Sequence, residues 1–381
     1  MKRIYFDNAA TTSICPEVLE SMMPYLTGHH GNPSSIHADG RKSRIAIEQA
    51  RKSIANQFKA SLGEIFFTSG GTESNNMALK CAVRDLGVKR IITSPIEHHC
   101  VSHTLESLVE THGIQLDVLD VCEKGCVNYE QLEKWLQDSK ERTLVSIMHA
   151  NNEIGTLLDL ERVSQMCQEN GAFLHSDTVQ TIGHFDMDVS KTKIDFLSAG
   201  AHKFHGPKGV GFIYINGDNI LKPYIDGGSQ ERNMRGGTEN IYGIIGMAKA
   251  LELAYTHLEE RRNKISETRQ YMKQRLEETF EGLCFNGCQD NPLYTVLSVA
   301  FPPHPKGDML LMLLDMAGVS CSGGSACSSG AEQGSHVISA INPKPDYKTV
   351  RFSFSHENTK EEVDFVVEKL VRILEPAKQM A

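Results

Sequence analysis

The 381-residue chain predicts an α/β fold: a large domain on a mainly parallel seven-stranded sheet, with a smaller α+β domain attached. Two observations predict it. Between about residues 60 and 215, short apolar runs alternate with segments of helical length, the pattern of a parallel sheet covered on both faces. From Ile241 onward the pattern turns helical and charge-rich, then gives way to short strands and two further helices. At 40% hydrophobic and 23% charged residues, the composition is that of an ordinary globular protein long enough for two domains.

Taken in order, the strands are expected at 64–68, 90–94, 115–121, 143–149, 172–176, 195–198 and 209–215. Helices at 73–85, 100–111, 129–138 and 160–170 separate them. One long helix from 241 to about 280, with Leu251, Leu253, Ala254 and Leu258 on one stripe, links the domains. Strands at 294–300 and 349–353 and helices at 308–317 and 360–374 complete the smaller lobe. No internal repeat occurs. The Gly- and Ser-rich stretch 320–335 has folded pattern on both sides and reads as a mobile loop. The expected division is a large domain over 15–260 and a small domain of 1–14 with 261–381, the small one carrying that loop (about 318–335).

A net charge of −9 with no basic stripe argues against nucleic acid or an anionic membrane as the main partner. The N-terminus has no apolar leader, and no run approaches the ~20 apolar residues that span a bilayer, so a soluble, cytoplasmic protein is expected. The ten cysteines are scattered and without secretory context, so reduced thiols are expected. Cys122/Cys126 and Cys284/Cys288 are spaced more loosely than usual metal pairs; no structural metal is expected, and most cysteines read as small buried hydrophobes.

The chemistry concentrates at strand ends. Lys203 follows an apolar run and precedes the turn Gly206-Pro207-Lys208-Gly209, while Asp177 closes another run. A strand-end Asp and a strand-end Lys match what pyridoxal phosphate (PLP) requires: an amine to carry it and a carboxylate to keep its ring nitrogen protonated. Ser69-Gly70-Gly71-Thr72-Glu73 reads as a strand, a glycine turn and a helix start suited to a phosphate. It departs from the nucleotide-binding P-loop pattern. His98 in Glu97-His98-His99-Cys100 can stack on a planar ring and move protons. Asn152 and Gln180 lie in runs that end on the same sheet edge, where open α/β sheets bind ligands. Cys327, in Gly324-Ser325-Ala326-Cys327-Ser328, is a thiol in an uncrowded loop, able to reach a cofactor and then a partner. Arg351 in a short strand offers a planar fork for a substrate carboxylate, although an ordinary salt bridge explains it equally well.

With these residues in place, the chain resembles the cysteine desulfurases, the NifS/IscS-like branch of the class V aminotransferases, PLP enzymes of fold type I. The likeness runs nearly end to end, through Tyr5-Phe6-Asp7-Asn8-Ala9-Ala10, Gly31-Asn32-Pro33-Ser34-Ser35, Thr68–Asn76, Glu97-His98, His149–Gly155, His202-Lys203, Arg235–Asn240 and Gly324–Cys327. It implies that Lys203 carries PLP, Asp177 pairs with the ring nitrogen, and His98 stacks on the ring. Asn152 and Gln180 would contact ring substituents, and Gly71, Thr72, Gly200 and His202 would line the phosphate site. Thr238 would reach that site from the second subunit of a homodimer. Arg351 would bind the carboxylate of L-cysteine, and Cys327 would take its sulfur for an acceptor protein, an iron–sulfur scaffold or a thiolation enzyme. No resident metal is implied, only a transient iron–sulfur contact at Cys327. The chain departs from the family at Gly200, where a serine hydroxyl usually contacts the phosphate. Lys203 and Asp177 suit an aminotransferase or a selenocysteine lyase equally well; Cys327 is what favours sulfur transfer. A non-catalytic homologue is disfavoured because both Lys203 and Cys327 are present.

Overall fold

The computed structural model describes residues 3–323, 334–341, 344 and 346–374. The chain opens with β1 (Ile4–Tyr5), α1 (Pro16–Thr27) and α2 (Ala38–Phe58). It continues through β2 (Ile65–Thr68), α3 (Gly71–Asp85), β3 (Arg90–Thr93), α4 (His99–His112), β4 (Gln115–Val118) and α5 (Tyr129–Gln137). Next come β5 (Thr143–Ser146), α6 (Leu160–Glu169), β6 (Phe173–Asp177), β7 (Phe196–Gly200) and β8 (Gly211–Ile215). Then follow α7 (Ile241–Thr256), α8 (Leu258–Thr279), β9 (Cys284–Phe285), β10 (Val296–Phe301) and α9 (Leu310–Met316). The described chain ends with β11 (Val319–Ser320), α10 (His336–Ile341), β12 (Lys348–Ser353) and α11 (Lys360–Leu374).

Seven strands form the central sheet in the order β2-β8-β7-β6-β5-β3-β4. All run the same way except β8, which is antiparallel to both neighbours. Strand residues alternate between the two faces. Ile65 and Phe67 join a core with α1, α2, α5, α6 and α7, while Phe66 joins the opposite core with α3 and α4. The apolar runs of the sequence are therefore strands covered twice, which is why they read as continuous rather than alternating.

A separate apolar cluster unites Phe6 with Ile265 and Met272 of α8, Val299 of β10, Phe352 of β12 and Val366 of α11. Its strands pair as an antiparallel sheet β12-β10-β9 and a parallel pair β1-β11. Phe6 meets the rings of Phe352 and Phe354 edge-on at 6.3 and 5.2 Å, contacts worth about 0.5–1.5 kcal/mol each beyond simple burial. Those contacts fix the N-terminal segment against the C-terminal strand and set Asp7 beside Arg351. No described helix is long and apolar enough to cross a membrane.

Three expectations need correction. The single helix from 241 to 280 is two helices, α7 and α8, broken at His257, whose φ of −108° and ψ of 21° lie outside helical geometry. The helix expected over 308–317 begins as a 3-10 turn at Gly307–Met309 before α9. The cysteines are not mostly buried: of the nine described, only Cys81 and Cys167 are, and Cys122 is exposed.

Candidate active site

Because β2, β3, β5, β6 and β7 share a direction, their C-terminal ends open on one edge. That edge frames a cavity of about 280 Å³ lined by Gly71, Thr72, His98, Asn152, Asp177, Gln180, His202, Lys203 and Arg351. The sheet direction, not sequence proximity, brings eight of these nine expected residues together, and Arg351 reaches the cavity from β12 of the smaller sheet.

Asp177 is the last residue of β6 and is buried. Its Oδ2 accepts from Asn75 Nδ2 at 2.7 Å, and its Oδ1 accepts from the Val179 N–H at 3.0 Å. Asn75 Oδ1 in turn faces His175 Nε2 at 3.0 Å, so the carboxylate is braced by a buried chain of partners. Lys203 ends a 3-10 turn after β7, and its Nζ donates to the carbonyls of Ala9 and Ala10 at 2.5 and 2.8 Å. Gln180 Nε2 donates to the same Ala9 carbonyl at 3.0 Å. The N-terminal segment is thus a wall of the site, laced to it further by Thr12, which bonds the His202 carbonyl.

His98 caps α4: its Nδ1 accepts the Cys100 N–H at 3.1 Å, which places the ring proton on Nε2. Burial pulls its pKa down, and of the nearby charges Asp177 opposes that shift while Lys203 adds to it, so the ring is neutral near pH 7. His202 is pushed down to about 4 by burial and by the charges of Lys203 and Lys208. Two thiols near the cavity are poor nucleophiles at neutral pH. Burial pushes both Cys100, in the wall, and Cys321 up to about 12.

The first turn of α3 faces the cavity with Gly71 and Thr72. Gly70 sits at φ +151°, a conformation open to glycine. A Cβ on Gly71 would meet Val179 Cγ2 at 2.5 Å, so only glycine lets the helix start approach the turn after β6. Unpartnered N–H groups are a general property of such a helix start, and here they stand beside the His202 ring and Thr72.

Arg351 is 1% exposed, and its fork is already engaged. Nη2 pairs with Asp7 Oδ1 at 2.8 Å and Nη1 donates to the Asn152 carbonyl at 2.9 Å, while Nε is buried without a hydrogen-bond partner. The salt bridge that sequence alone left open is therefore present. Thr238 is not brought to this cavity within one chain. It is exposed and lines a separate cleft with Ser69, Glu231 and Arg235. Its loop is tied back to α3 by Arg235 Nε to Glu73 Oε1 at 2.9 Å. Cys327 lies outside the described residues. The described flanks of its segment attach beside the cavity, Ser322 to Asp7 at 3.0 Å and His336 Nε2 to the Glu97 carbonyl at 2.8 Å.

Residue types alone gave no role to Asn75, Glu97 or the Ala9 and Ala10 carbonyls. Asn75 stands three residues after Thr72, one turn along the same helix face, and that spacing was the available signal. Glu97 is fully enclosed behind His98, with Oε1 accepting from Ser94 and Met148 and Oε2 unpartnered; burial pushes its pKa up to about 8. Backbone carbonyls carry no sequence signal at all.

Comparison with known proteins agrees with this architecture. The family described as "Aminotransferase class-V" matches residues 4–366. The chain is 43% identical to "Cysteine desulfurase IscS" of Dictyoglomus turgidum, covering 100% of this chain and 97% of that protein. It superimposes on a solved "NIFS-LIKE PROTEIN" with a TM-score of 0.90 and 36% identity, over 98% of this chain and 99% of that one. A second structure, "SspA in complex with cysteine", gives a TM-score of 0.80 at 33% identity, over 93% of this chain and 100% of that one. The chain belongs to the class-V aminotransferase family.

Proposed function

We propose that this class-V aminotransferase family member is a cysteine desulfurase that holds PLP on Lys203 and releases the sulfur of L-cysteine through Cys327. The observation that carries the reading is the convergence of Lys203, Asp177 and a neutral His98 on one cavity. The donor set fits PLP. Lys203 and Asp177 offer an amine and a fixed carboxylate, and Thr72 and His202 stand at a helix start on the same cavity. The ring of His98 forms part of the wall. Gly200 leaves room, since a Cβ there would meet nothing closer than Gly71 N and the His202 ring at 3.5 Å.

PLP bound there would supply an electron sink for charge developing at the substrate Cα. The chain's residues do the rest. Asp177, oriented by Asn75, holds the proton on the ring nitrogen. Lys203, which would hold the cofactor, would also take the substrate's Cα proton and return one. His98, with its proton on Nε2, would serve as a proton donor in the cavity wall. Arg351, already turned towards Asp7, takes the carboxylate of L-cysteine by exchanging or sharing that partner. Cys327, as thiolate, attacks the substrate sulfur. A new S–S bond forms, the C–S bond breaks with its electron pair remaining on the carbon skeleton, and protonation there releases alanine. Cys100 and Cys321, both held as thiols, do not compete for the sulfur.

The same reading takes the protein as a cytoplasmic homodimer, with Thr238 of one subunit completing the phosphate site of the other. The exposure of Thr238 outside its own cavity supports this arrangement. It takes 15–260 as the large domain and 1–14 with 261–381 as the small one, supported by the apolar cluster that joins Phe6 to residues from Ile265 onward. The sulfur acceptor is a partner protein, an iron–sulfur scaffold or a thiolation enzyme. The test is to add L-cysteine to the PLP-loaded protein without reductant and map its peptides by mass. The Cys327 peptide should gain one sulfur atom; a persulfide formed at the wild-type rate in Cys327→Ser would refute the assignment.

A further inference from the structure

A group of thiols outside the cavity has no part in that chemistry. Residues 121–127 form a tight hairpin: Val121 bridges Val127, the Cys122 N–H donates to the Cys126 carbonyl at 2.9 Å, and the Gly125 N–H donates to the Cys122 carbonyl at 2.7 Å. The hairpin closes on one backbone hydrogen bond between Cys122 and Cys126, since Gly125 takes the Cys122 carbonyl, and this sets the two cysteines across from each other. The Cys126 thiol is within hydrogen-bonding reach of Cys122 and of Cys288. Cys288 comes from a distant turn that is clamped to the same hairpin. Thr156 Oγ1 accepts from the Cys288 N–H at 3.1 Å and donates to the Lys124 carbonyl at 2.6 Å, and Lys124 pairs with Asp290 at 3.4 Å. Cys122 is exposed, whereas Cys126 and Cys288 are half-buried.

We propose that Cys122 and Cys126, with Cys288 packed against them, form a thiol–disulfide site in which exposed Cys122 attacks a low-molecular-weight disulfide and Cys126 resolves the adduct. The chemistry differs along the trio. Burial acts to raise the Cys122 pKa, but hydrogen bonds from the backbone of Cys126 and Lys124 and from the Cys126 thiol outweigh it and hold Cys122 below the usual thiol range. Burial and the two neighbouring thiols push Cys126 up to about 12. The exposed sulfur is thus the one that ionises more readily and attacks, and the inner one the resolving thiol. Cys122 thiolate attacks a disulfide RSSR, forming Cys122–S–SR and expelling one thiolate. Cys126 gives up its proton and attacks the Cys122 sulfur, forming the Cys122–Cys126 bond and releasing the second RSH. Two protein thiols lose two electrons and the small disulfide gains them.

The test uses the full-length, PLP-loaded protein, reduced and then incubated with oxidised glutathione. Remaining thiols are alkylated and the chain is cleaved after Lys124, which separates Cys122 from Cys126. Wild type should lose both free thiols and yield the two peptides joined, separable by reductant. Cys126→Ser should instead stop at a glutathione adduct on Cys122, and Cys288→Ser should still form the joined pair. Cys122 remaining a free thiol, a lasting Cys122 adduct in the wild type, or a Cys126–Cys288 bond with Cys122 unmodified would each overturn the proposal.

Discussion

Replacing Gly200 with serine should tighten PLP binding by about 5- to 30-fold. The backbone at Gly200, φ −134° and ψ 119°, is extended and suits any residue. A Cβ there would meet Gly71 N at 3.5 Å, His202 Cδ2 at 3.5 Å and His202 Nε2 at 3.7 Å, all ordinary contacts, so the side chain enters without displacing backbone. Those neighbours are the helix start and the histidine assigned to the phosphate, so the added hydroxyl stands where it can donate to that group. One further hydrogen bond contributes roughly 1–2 kcal/mol, and each ~1.4 kcal/mol is tenfold in affinity, which gives the stated range. The assay titrates PLP into apo-protein of both variants and reads the dissociation constant from absorbance, with the thermal midpoint of each apo form as a control. A serine that leaves the dissociation constant unchanged while the apo midpoint stays intact would refute the placement of the phosphate beside Gly200.

Other consequences follow from the same geometry. Asn75→Ala leaves the Asp177 carboxylate and the His175 ring each short of a buried partner, so it should destabilise the fold by about 1–3 kcal/mol and weaken PLP retention, read by denaturant unfolding and by absorbance after gel filtration. Arg51→Ala should cost about 3–5 kcal/mol in urea unfolding, because it strands Glu231 of a buried pair at 2.8 Å; a loss under 1 kcal/mol would contradict it. Glu97 has a folded pKa raised from 4.5 to about 8, so the native state binds more protons than the unfolded one across that window and stability falls as pH rises through it. Glu97→Gln, neutral at every pH, should flatten the decline of the thermal midpoint over that range, and an unchanged slope would show that Glu97 is ionised in the fold.

The sheet was legible because both of its faces are covered: runs such as Ile65–Thr68 and Phe196–Gly200 are buried throughout, mostly apolar, and followed by glycine or polar turns. The strand-end residues Lys203, Asp177 and His98 were legible for the same reason, since parallel strands deliver their C-termini to one edge. Helices α1 and α2 were not found. Much of the buried stripe of α2 is alanine and serine among many charges, so little apolar signal shows, although Ile47, Ile54 and Phe58 keep helical spacing. The break at His257 was hidden because apolar periodicity resumes across it at Leu258. Contacts between distant segments had no sequence signal. The Asp7–Arg351 pair spans nearly the whole chain, and the spacing of the cysteines suggested Cys284 with Cys288, whereas the fold sets Cys288 against Cys126.

The central claim is that sulfur leaves L-cysteine through Cys327. It is tested most directly by incubating the PLP-loaded protein with L-cysteine and a reductant and quantifying sulfide and alanine in the same samples. Equal yields in the wild type, both lost in Cys327→Ser, are the predicted result. A keto acid formed without sulfide, or sulfide production undiminished in Cys327→Ser, would contradict it.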